Sequence, residues 1–453
     1  MKAPRIMIAA AGSGSGKTLL TCSLLQALLD SGKKAAAFKC GPDFIDPMFH
    51  RKVLGVPSKN LDSFFTDENT TRFLFLEDAE GKDLSVIEGV MGLYDGLGGI
   101  TEEASSYHLA KVTKTPVILV VDARGMGRSV IPLIAGFLQY DTARLIQGVI
   151  LNRTGKMFYD AIKPEIEAET GIPVLGYFPV HTEIRLESRH LGLRLPEEIR
   201  GLREQLKKSA EVFRTAVDLE KLVAIASRAE ELEAAPVTVP AKADGVRIGV
   251  AMDEAFCFYY EDNLRLLQKA GAELVPFSPL HEEKLPAHLH GLILGGGYPE
   301  LYAAALSQNK GMRDSVKAAV ESGMPSIAEC GGFLYLHEMM ENQEGNAFPM
   351  VGTVKGSCRY TGKLVRFGYI GVCAETESFL PKGTEIRGHE FHYFDSTDNG
   401  NDCLARKPVS GRQWRCVHAG KNHWWGFPHL YYYANPAYAY HFLGRAESYA
   451  QGS

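Results

Sequence analysis

At 453 residues the chain exceeds ordinary single-domain size, so two or three domains are expected. Its 45% hydrophobic and 23% charged residues are those of a globular protein, and a net charge of −5 argues against a general nucleic-acid binder. No stretch approaches the roughly 20 apolar residues of a membrane span, and the apolar run Ile6–Ala10 is too short and wrongly flanked for a signal peptide. Eight cysteines without a Cys-x-x-Cys pair read as reduced thiols. A cytoplasmic protein with no membrane and no nucleic-acid partner is expected.

In chain order, apolar runs predict strands at Arg5–Ala10, Lys34–Phe38, Leu84–Glu88, Pro116–Val121, Leu145–Leu151 and Val174–Phe178. They are continuous rather than alternating, as in a parallel sheet covered by helices on both faces. Helical patterns such as Leu19–Ser31 and Ser129–Phe137 lie between them, and Ile199–Glu233 reads as one charged amphipathic helix. The result is a doubly wound, mostly parallel α/β domain over 1–233. Residues 234–245 have neither period nor bulk and read as a linker. A second α/β series over 246–445 has strands at Val246–Ala251, Glu273–Phe277, Gly291–Leu294 and Ser326–Ala328, and helices at Tyr260–Ala270 and Gly311–Ser322. After Val351, short aromatic-rich segments predict antiparallel strands at an edge.

The first strand runs into Gly12, Ser13, Gly14, Ser15, Gly16, Lys17 and Thr18. The spacing is that of a Walker A loop, with Ala11 at the first glycine position. In such a loop, backbone N–H groups and the following helix N-terminus face phosphate oxygens. The lysine reaches the β and γ phosphates and the threonine hydroxyl binds Mg²⁺. Glu88 closes the strand Leu84–Glu88, where a carboxylate can hold Mg²⁺ directly or through water, and Asp122 is a second candidate one strand on. Asn152 ends a further strand, and its amide suits an adenine edge. Gly41-Pro42 and Asp46-Pro47 predict a rigid, non-helical loop holding Asp43 and Asp46 near the γ-phosphate end.

In the second half, the strand Ser326–Ala328 leads into Glu329, Cys330, Gly331 and Gly332. A cysteine between strand and helix, followed by two glycines, is nucleophile-elbow geometry. It predicts an exposed thiol whose pKa the helix N-terminus lowers. Gly296 and Gly297, in Gly295–Glu300, offer backbone N–H groups for an oxyanion hole. The thiol needs a base, and His429 stands out in Gly426–Tyr433; His389 and His392 are polar enough to line a site.

The motifs Gly14–Thr18, Phe38–Pro47, Asn60–Asp62, Glu88–Gly96, Gly148–Arg153, Arg189–Leu193, Gly295–Glu300, Glu329–Gly332 and Arg387–Tyr393 span nearly the whole chain. In them the chain resembles the cobyrinate a,c-diamide synthases, glutamine-dependent amidotransferases of corrinoid assembly. The resemblance implies a P-loop synthetase domain followed by a class I glutamine amidotransferase domain. It implies that the Cys330 thiolate attacks the carboxamide of L-glutamine and releases ammonia. It further implies that ATP activates a carboxylate of the macrocycle as an acyl phosphate, which ammonia converts to an amide at the a and c side chains. Asp43, Glu88 and Asp95 then belong to the ATP, metal and substrate chemistry, with Thr18, Asp43 and Glu88 as Mg²⁺ ligands. Many class I amidotransferases carry a glutamate two residues after the catalytic histidine. Here Tyr431 stands there, so a Cys–His dyad is implied.

The expected partners are a corrinoid or related tetrapyrrole, L-glutamine and ATP, with a homodimer as an open option. Nickel sirohydrochlorin and hydrogenobyrinate share the motifs and stay open as substrates. A partitioning-type ATPase switch with a non-catalytic second domain is the alternative of a different class, which an intact Cys330 disfavours.

Overall fold

The computed structural model describes residues 1–180, 201–239 and 245–452, with backbone only at 188–189 and 192–193. Much of Arg189–Leu193 and residues 240–244 of the linker reading therefore lie outside the described residues. The chain divides into two compact units, Met1–Val237 and Thr238–Ser453.

The first unit is built on seven strands: β1 (Arg5–Ala10), β2 (Ala35–Cys40), β3 (Ser58–Leu61), β4 (Leu84–Glu88), β5 (Val117–Asp122), β6 (Ile146–Asn152) and β7 (Val174–Phe178). Their order is β3-β2-β4-β1-β5-β6-β7, and every pairing is parallel. β1 and β2 are buried at every position, which is why they read as unbroken apolar runs. The chain moves to one side of β1 for β2 to β4 and to the other for β5 to β7. The carboxyl end of β1 therefore lies at a topological switch point, where open α/β sheets bind ligands. Register matters here, because Glu88 pairs with both Ile8 of β1 and Lys39 of β2.

Two sequence expectations differ. β3 was invisible as an apolar run because it reads Ser-Lys-Asn-Leu, yet all four residues are buried. Its polar groups are matched: Ser58 with His50, Lys59 with Asp78, and Asn60 with the carbonyls of Gly41 and Asp43. The single helix read over Ile199–Glu233 is two, Leu202–Ala216 and Leu219–Ser227. Val217 is extended and bridges to Gly176, and the Asp218 carboxylate caps the second helix by accepting the Lys221 N–H.

The second unit has a six-stranded sheet: β8 (Arg247–Ala251), β9 (Glu273–Phe277), β10 (Gly291–Leu294), β11 (Ser326–Glu329), β12 (His418–Gly420) and β13 (His423–Gly426). The order is β9-β8-β10-β11-β13-β12, parallel except for the β12–β13 pair. A second, antiparallel sheet runs Gln413–Cys416, Cys403–Arg406, Arg366–Ala374, Glu385–His392, His429–Leu430. Phe256, Leu292, Leu294, Ala328 and Phe333 share one buried core behind β11. Cys330 and His429 thus come from different sheets, joined through the short turn after β13. Among the described residues no helix is long and apolar enough to cross a membrane.

Candidate active site

In the first unit the loop after β1 delivers Lys17 to the start of the helix Lys17–Asp30 (α1). Gly16 precedes it at φ 90°, and a Cβ there would lie 2.3 Å from Asn152 Nδ2, so only glycine fits. The Lys17 ammonium donates to the carbonyls of Gly12 at 3.0 Å and Met91 at 2.5 Å. Burial, and then the neighbouring charge of Lys39, lower its pKa to about 8.

Asn152, expected to read an adenine edge, is tied to the phosphate loop. Its Nδ2 donates to the Ser15 carbonyl at 2.7 Å and its Oδ1 accepts the Arg153 N–H, so the amide braces the phosphate loop. Asp122 likewise bonds Arg153, whose other arm donates to the Gly14 carbonyl. Both side chains thereby brace the phosphate loop.

The centre of the site is a buried charge cluster. Glu88 Oε1 accepts from the Thr18 hydroxyl at 2.6 Å and from Lys39 Nζ at 2.9 Å. Lys39 also meets Asp46 at 2.5 Å, and His50 Nε2 approaches Glu88 Oε2 at 3.4 Å, long for a hydrogen bond. Burial opposes the charge of Lys39, but Asp46 and Glu88 together outweigh it and its pKa is raised. Burial also opposes the charge of Glu88; Lys39 and then His50 reverse this and hold it below the usual carboxylate range. Burial and the charge of Glu88 push Asp46 up. Of two carboxyls sharing one ammonium, Glu88 keeps its negative charge more firmly.

Asp43 Oδ1 accepts the N–H groups of Ile45 and Asp46 at 2.7 and 3.0 Å. The loop expected to be non-helical is in part helical: Ile45–Met48 forms a turn continued by Phe49–Val53. Pro47 is tolerated because its position is in the first turn, where no backbone donor is required. Asp95 Oδ2 accepts the Gly92 N–H at 2.8 Å and closes the turn after β4. Asp43 reaches Glu88 only through Asp46 and Lys39, whereas Thr18 touches Glu88 directly.

Thr18 and Glu88 are hard oxygen donors side by side, and Glu88 Oε2 has no hydrogen-bond partner. That pair fits Mg²⁺, which takes few protein ligands and completes its shell with water and phosphate oxygens. Among the described residues no group of three or more His, Cys, Asp and Glu forms a denser metal site.

Lys39 was not singled out from sequence, although a lysine inside the apolar strand Ala35–Cys40 was a usable signal. Lys39→Met leaves two buried carboxylates without their cation. We expect a loss of about 3–5 kcal/mol in the first unit, read from its denaturant midpoint; an unchanged midpoint would show that the cluster is not held by this ammonium.

In the second unit the backbone at Cys330 has φ 46° and ψ −101°, strained for a residue with a side chain. The strain is held from both sides: the Cys330 N–H donates to the Gly426 carbonyl at 2.8 Å, and Cys330 C=O starts the helix Gly331–Leu336 (α2). The elbow is as expected; the thiol's exposure is not. Cys330 is 9% exposed, and burial, then Glu300, raise its pKa, against a lowering contact from the Gly331 N–H. A six-residue helix in an apolar surround does not offset that desolvation.

His429 is 2% exposed, and burial, then His392, lower its pKa to about 3. Its ring stacks on His389 with centroids 5.2 Å apart. It also fills the space beside Gly296, where a Cβ would come within 2.4 Å of His429 Cε1. Gly297 N lies 3.0 Å from where a Gly331 Cβ would stand, so this loop sits between ring and elbow. Gly296 and Gly297 pair with Phe258 and Phe256 in a short ribbon. His392 stacks on Phe427 at 3.9 Å. Tyr431, at the usual glutamate position, donates to Asp262 at 2.7 Å. Glu329 reaches the surroundings of His429, a neighbour the sequence reading passed over.

A CobQ/CobB/MinD/ParA nucleotide binding domain matches residues 6–193, and a CobB/CobQ-like glutamine amidotransferase domain matches residues 247–423. The class is therefore a nucleotide-binding P-loop domain and a glutamine amidotransferase domain in one chain. The chain is 42% identical over 441 residues to the cobyrinate a,c-diamide synthase of Listeria innocua, covering 96% of this chain and 97% of that one. It is 40% identical to that of Caldanaerobacter subterraneus over 449 residues (98% and 99%) and to that of Thermoplasma volcanium over 394 residues (86% and 86%). The chain belongs to the cobyrinate a,c-diamide synthase family. It is accordingly an enzyme, a glutamine-dependent amidating ligase.

Proposed function

We propose that the chain amidates the a and c side-chain carboxylates of cobyrinate, using ATP and L-glutamine. The observation that carries this reading is the near-full-length similarity to relatives bearing that name, across both units. The strained backbone at Cys330 and the Lys17, Thr18 and Glu88 cluster support the mechanism.

A free carboxylate is a poor electrophile because hydroxide leaves badly. In the first unit the substrate carboxylate attacks the γ-phosphorus of ATP, ADP departs, and an acyl phosphate forms. Lys17 turns from the carbonyls of Gly12 and Met91 to the β and γ phosphates, and the N–H groups of Gly12–Thr18 face the phosphate oxygens. Thr18 and Glu88 would hold Mg²⁺, which neutralises phosphate charge when bound. Lys39, itself held by Asp46, keeps Glu88 ionised and aimed, and Asp43 and Asp95 shape the rim near the reacting carboxylate.

In the second unit His429 takes the thiol proton, and the Cys330 thiolate attacks the side-chain carbonyl of glutamine. The N–H groups of Gly296 and Gly297 receive the developing oxyanion. Ammonia leaves with the proton, and water hydrolyses the thioester. Ammonia then attacks the acyl phosphate and expels phosphate; a second cycle gives the diamide. The test is incubation with ATP, glutamine and, separately, cobyrinate, hydrogenobyrinate and nickel sirohydrochlorin. The expected result is a doubly amidated cobyrinate by mass spectrometry. Amidation of nickel sirohydrochlorin alone would transfer the activity to that substrate.

A further inference from the structure

A bare cysteine–histidine dyad is hard to ionise in this site. Burial opposes both members: it raises Cys330 and holds His429 at about 3. Moving a proton from thiol to imidazole creates two buried charges, and something must favour the imidazolium. The residue two positions after His429 does not, because the Tyr431 hydroxyl is engaged with Asp262.

A carboxyl does stand there, from another element. Glu329 closes β11, one residue before the nucleophile, and is 8% exposed. Its Oε1 accepts the N–H of Leu430, the residue following His429, at 3.3 Å. Its Oε2 lies 3.8 Å from His429 Nδ1, a small side-chain rotation short of a hydrogen bond. The carboxyl is thus clamped to the segment that carries the base. Strand pairing fixes both ends of this contact: Glu329 is in register with Gly426, and His429 with His389.

We propose that Glu329 is the positioning residue of the glutaminase site: its carboxylate accepts the Nδ1–H of His429 and so selects the tautomer whose Nε2 receives the Cys330 proton. The proposal rests on the thiol chemistry proposed above. In that step the Sγ–H bond breaks, its electron pair stays on sulfur, and an Nε2–H bond forms. The thiolate attacks the glutamine carbonyl carbon, and the Nε2 proton passes to the leaving nitrogen as ammonia. A protonated Glu329 would do the reverse: its O–H would donate to Nδ1, place the ring proton on Nε2 and leave no base for the thiol. The dyad is therefore active only when Glu329 is ionised.

The surroundings suit such control. Burial pushes Glu329 up to about 8, tempered by the Leu430 N–H. Its charge acts on the phenols of Tyr259, Tyr432 and Tyr438, all with pKa values raised first by burial. On the ring side stand His389 and His392, both held neutral by burial; on the thiol side stand Glu300 and Glu390. Burial, outweighing Arg366 and Lys407, raises Glu390 to about 7.

The test is Glu329→Gln in the full chain, which keeps an acceptor for Leu430 but removes the charge. Glutaminase kcat is expected to fall on the order of 10²- to 10⁴-fold, with the KM for glutamine within about threefold. The acid limb of its pH profile should disappear, and synthesis from added ammonia should persist. Glutaminase within about threefold of wild type, with an unmoved acid limb, overturns the proposal. So does an equal loss of the glutamine-dependent and ammonia-dependent activities in a folded variant. Should Glu329→Gln fail to fold, Glu329→Asp decides: a displaced acid limb supports the proposal and an unmoved limb overturns it. Cys330→Ala run alongside separates the two claims. Glutaminase surviving in that variant removes the thiol reading itself. Its loss there, with Glu329→Gln unaffected, removes only the role of Glu329.

Discussion

Cys330→Ala is expected to abolish glutamine-dependent synthesis while leaving synthesis from added ammonia close to wild type. The loss should be at least about 10³-fold, since removing a nucleophile removes the covalent route altogether rather than weakening one contact. Ammonia-supported synthesis should survive because Cys330 lies in the second unit, and the P-loop cluster is built wholly from the first. Alanine relieves a thiol but still occupies a backbone at φ 46°, so the fold should be kept. Assays with each nitrogen donor, side by side, decide the matter. Equal loss with both would contradict a division of labour between the units.

Lys17→Ala is the mirror experiment. Synthesis should fall by on the order of 10²–10³-fold with either nitrogen donor, because a charge aimed at the transferring phosphoryl group is lost where its effect is largest. Glutaminase activity should survive at least in part. The ammonium bonds only backbone carbonyls in this structure, so its removal unpairs no buried side-chain charge, and stability should change little. Unchanged synthesis would remove the phosphate-loop assignment. Total loss of glutaminase as well would show that the thiol site works only when the first unit is loaded.

The strand pattern was legible where burial on both faces imposed apolar runs, as in β1, β4, β7 and β10. β3 was not, because side-chain partners far along the chain compensate its polar residues. The phosphate loop and the cysteine elbow were legible because each needs a fixed local spacing. The roles inside them were less so. Asn152 suggests a base reader in isolation, and its bond to the Ser15 carbonyl, which sequence does not reveal, also makes it a support of the loop. Cys330 looks like an exposed, acidified thiol in isolation, but burial, a property of the packed unit, dominates its titration. Lys39 and Glu329 have in common that a charged residue inside a strand marks itself by composition alone, while its meaning depends on what register brings opposite.

The buried cluster also differs in kind from the thiol site. Around Glu88 a cation is already present, and opposite charges offset desolvation. Around Cys330 and His429 burial holds both groups neutral, so in the proposed thiol mechanism the ion pair is made during turnover. Charge is stored in the first site and generated in the second, which accords with one binding a polyanion and the other a neutral carboxamide.

The central claim is that nitrogen released at Cys330 enters the product of an ATP-driven amidation. Incubation of the full chain with cobyrinate, ATP and glutamine labelled with ¹⁵N in its side-chain amide tests it most directly, with mass spectrometry of the corrinoid. The expected product carries two new amides, both labelled, and neither forms without ATP or in Cys330→Ala supplied with glutamine alone. ATP turnover indifferent to cobyrinate and glutamine, with no label in the corrinoid, would contradict the claim and point to a nucleotide switch.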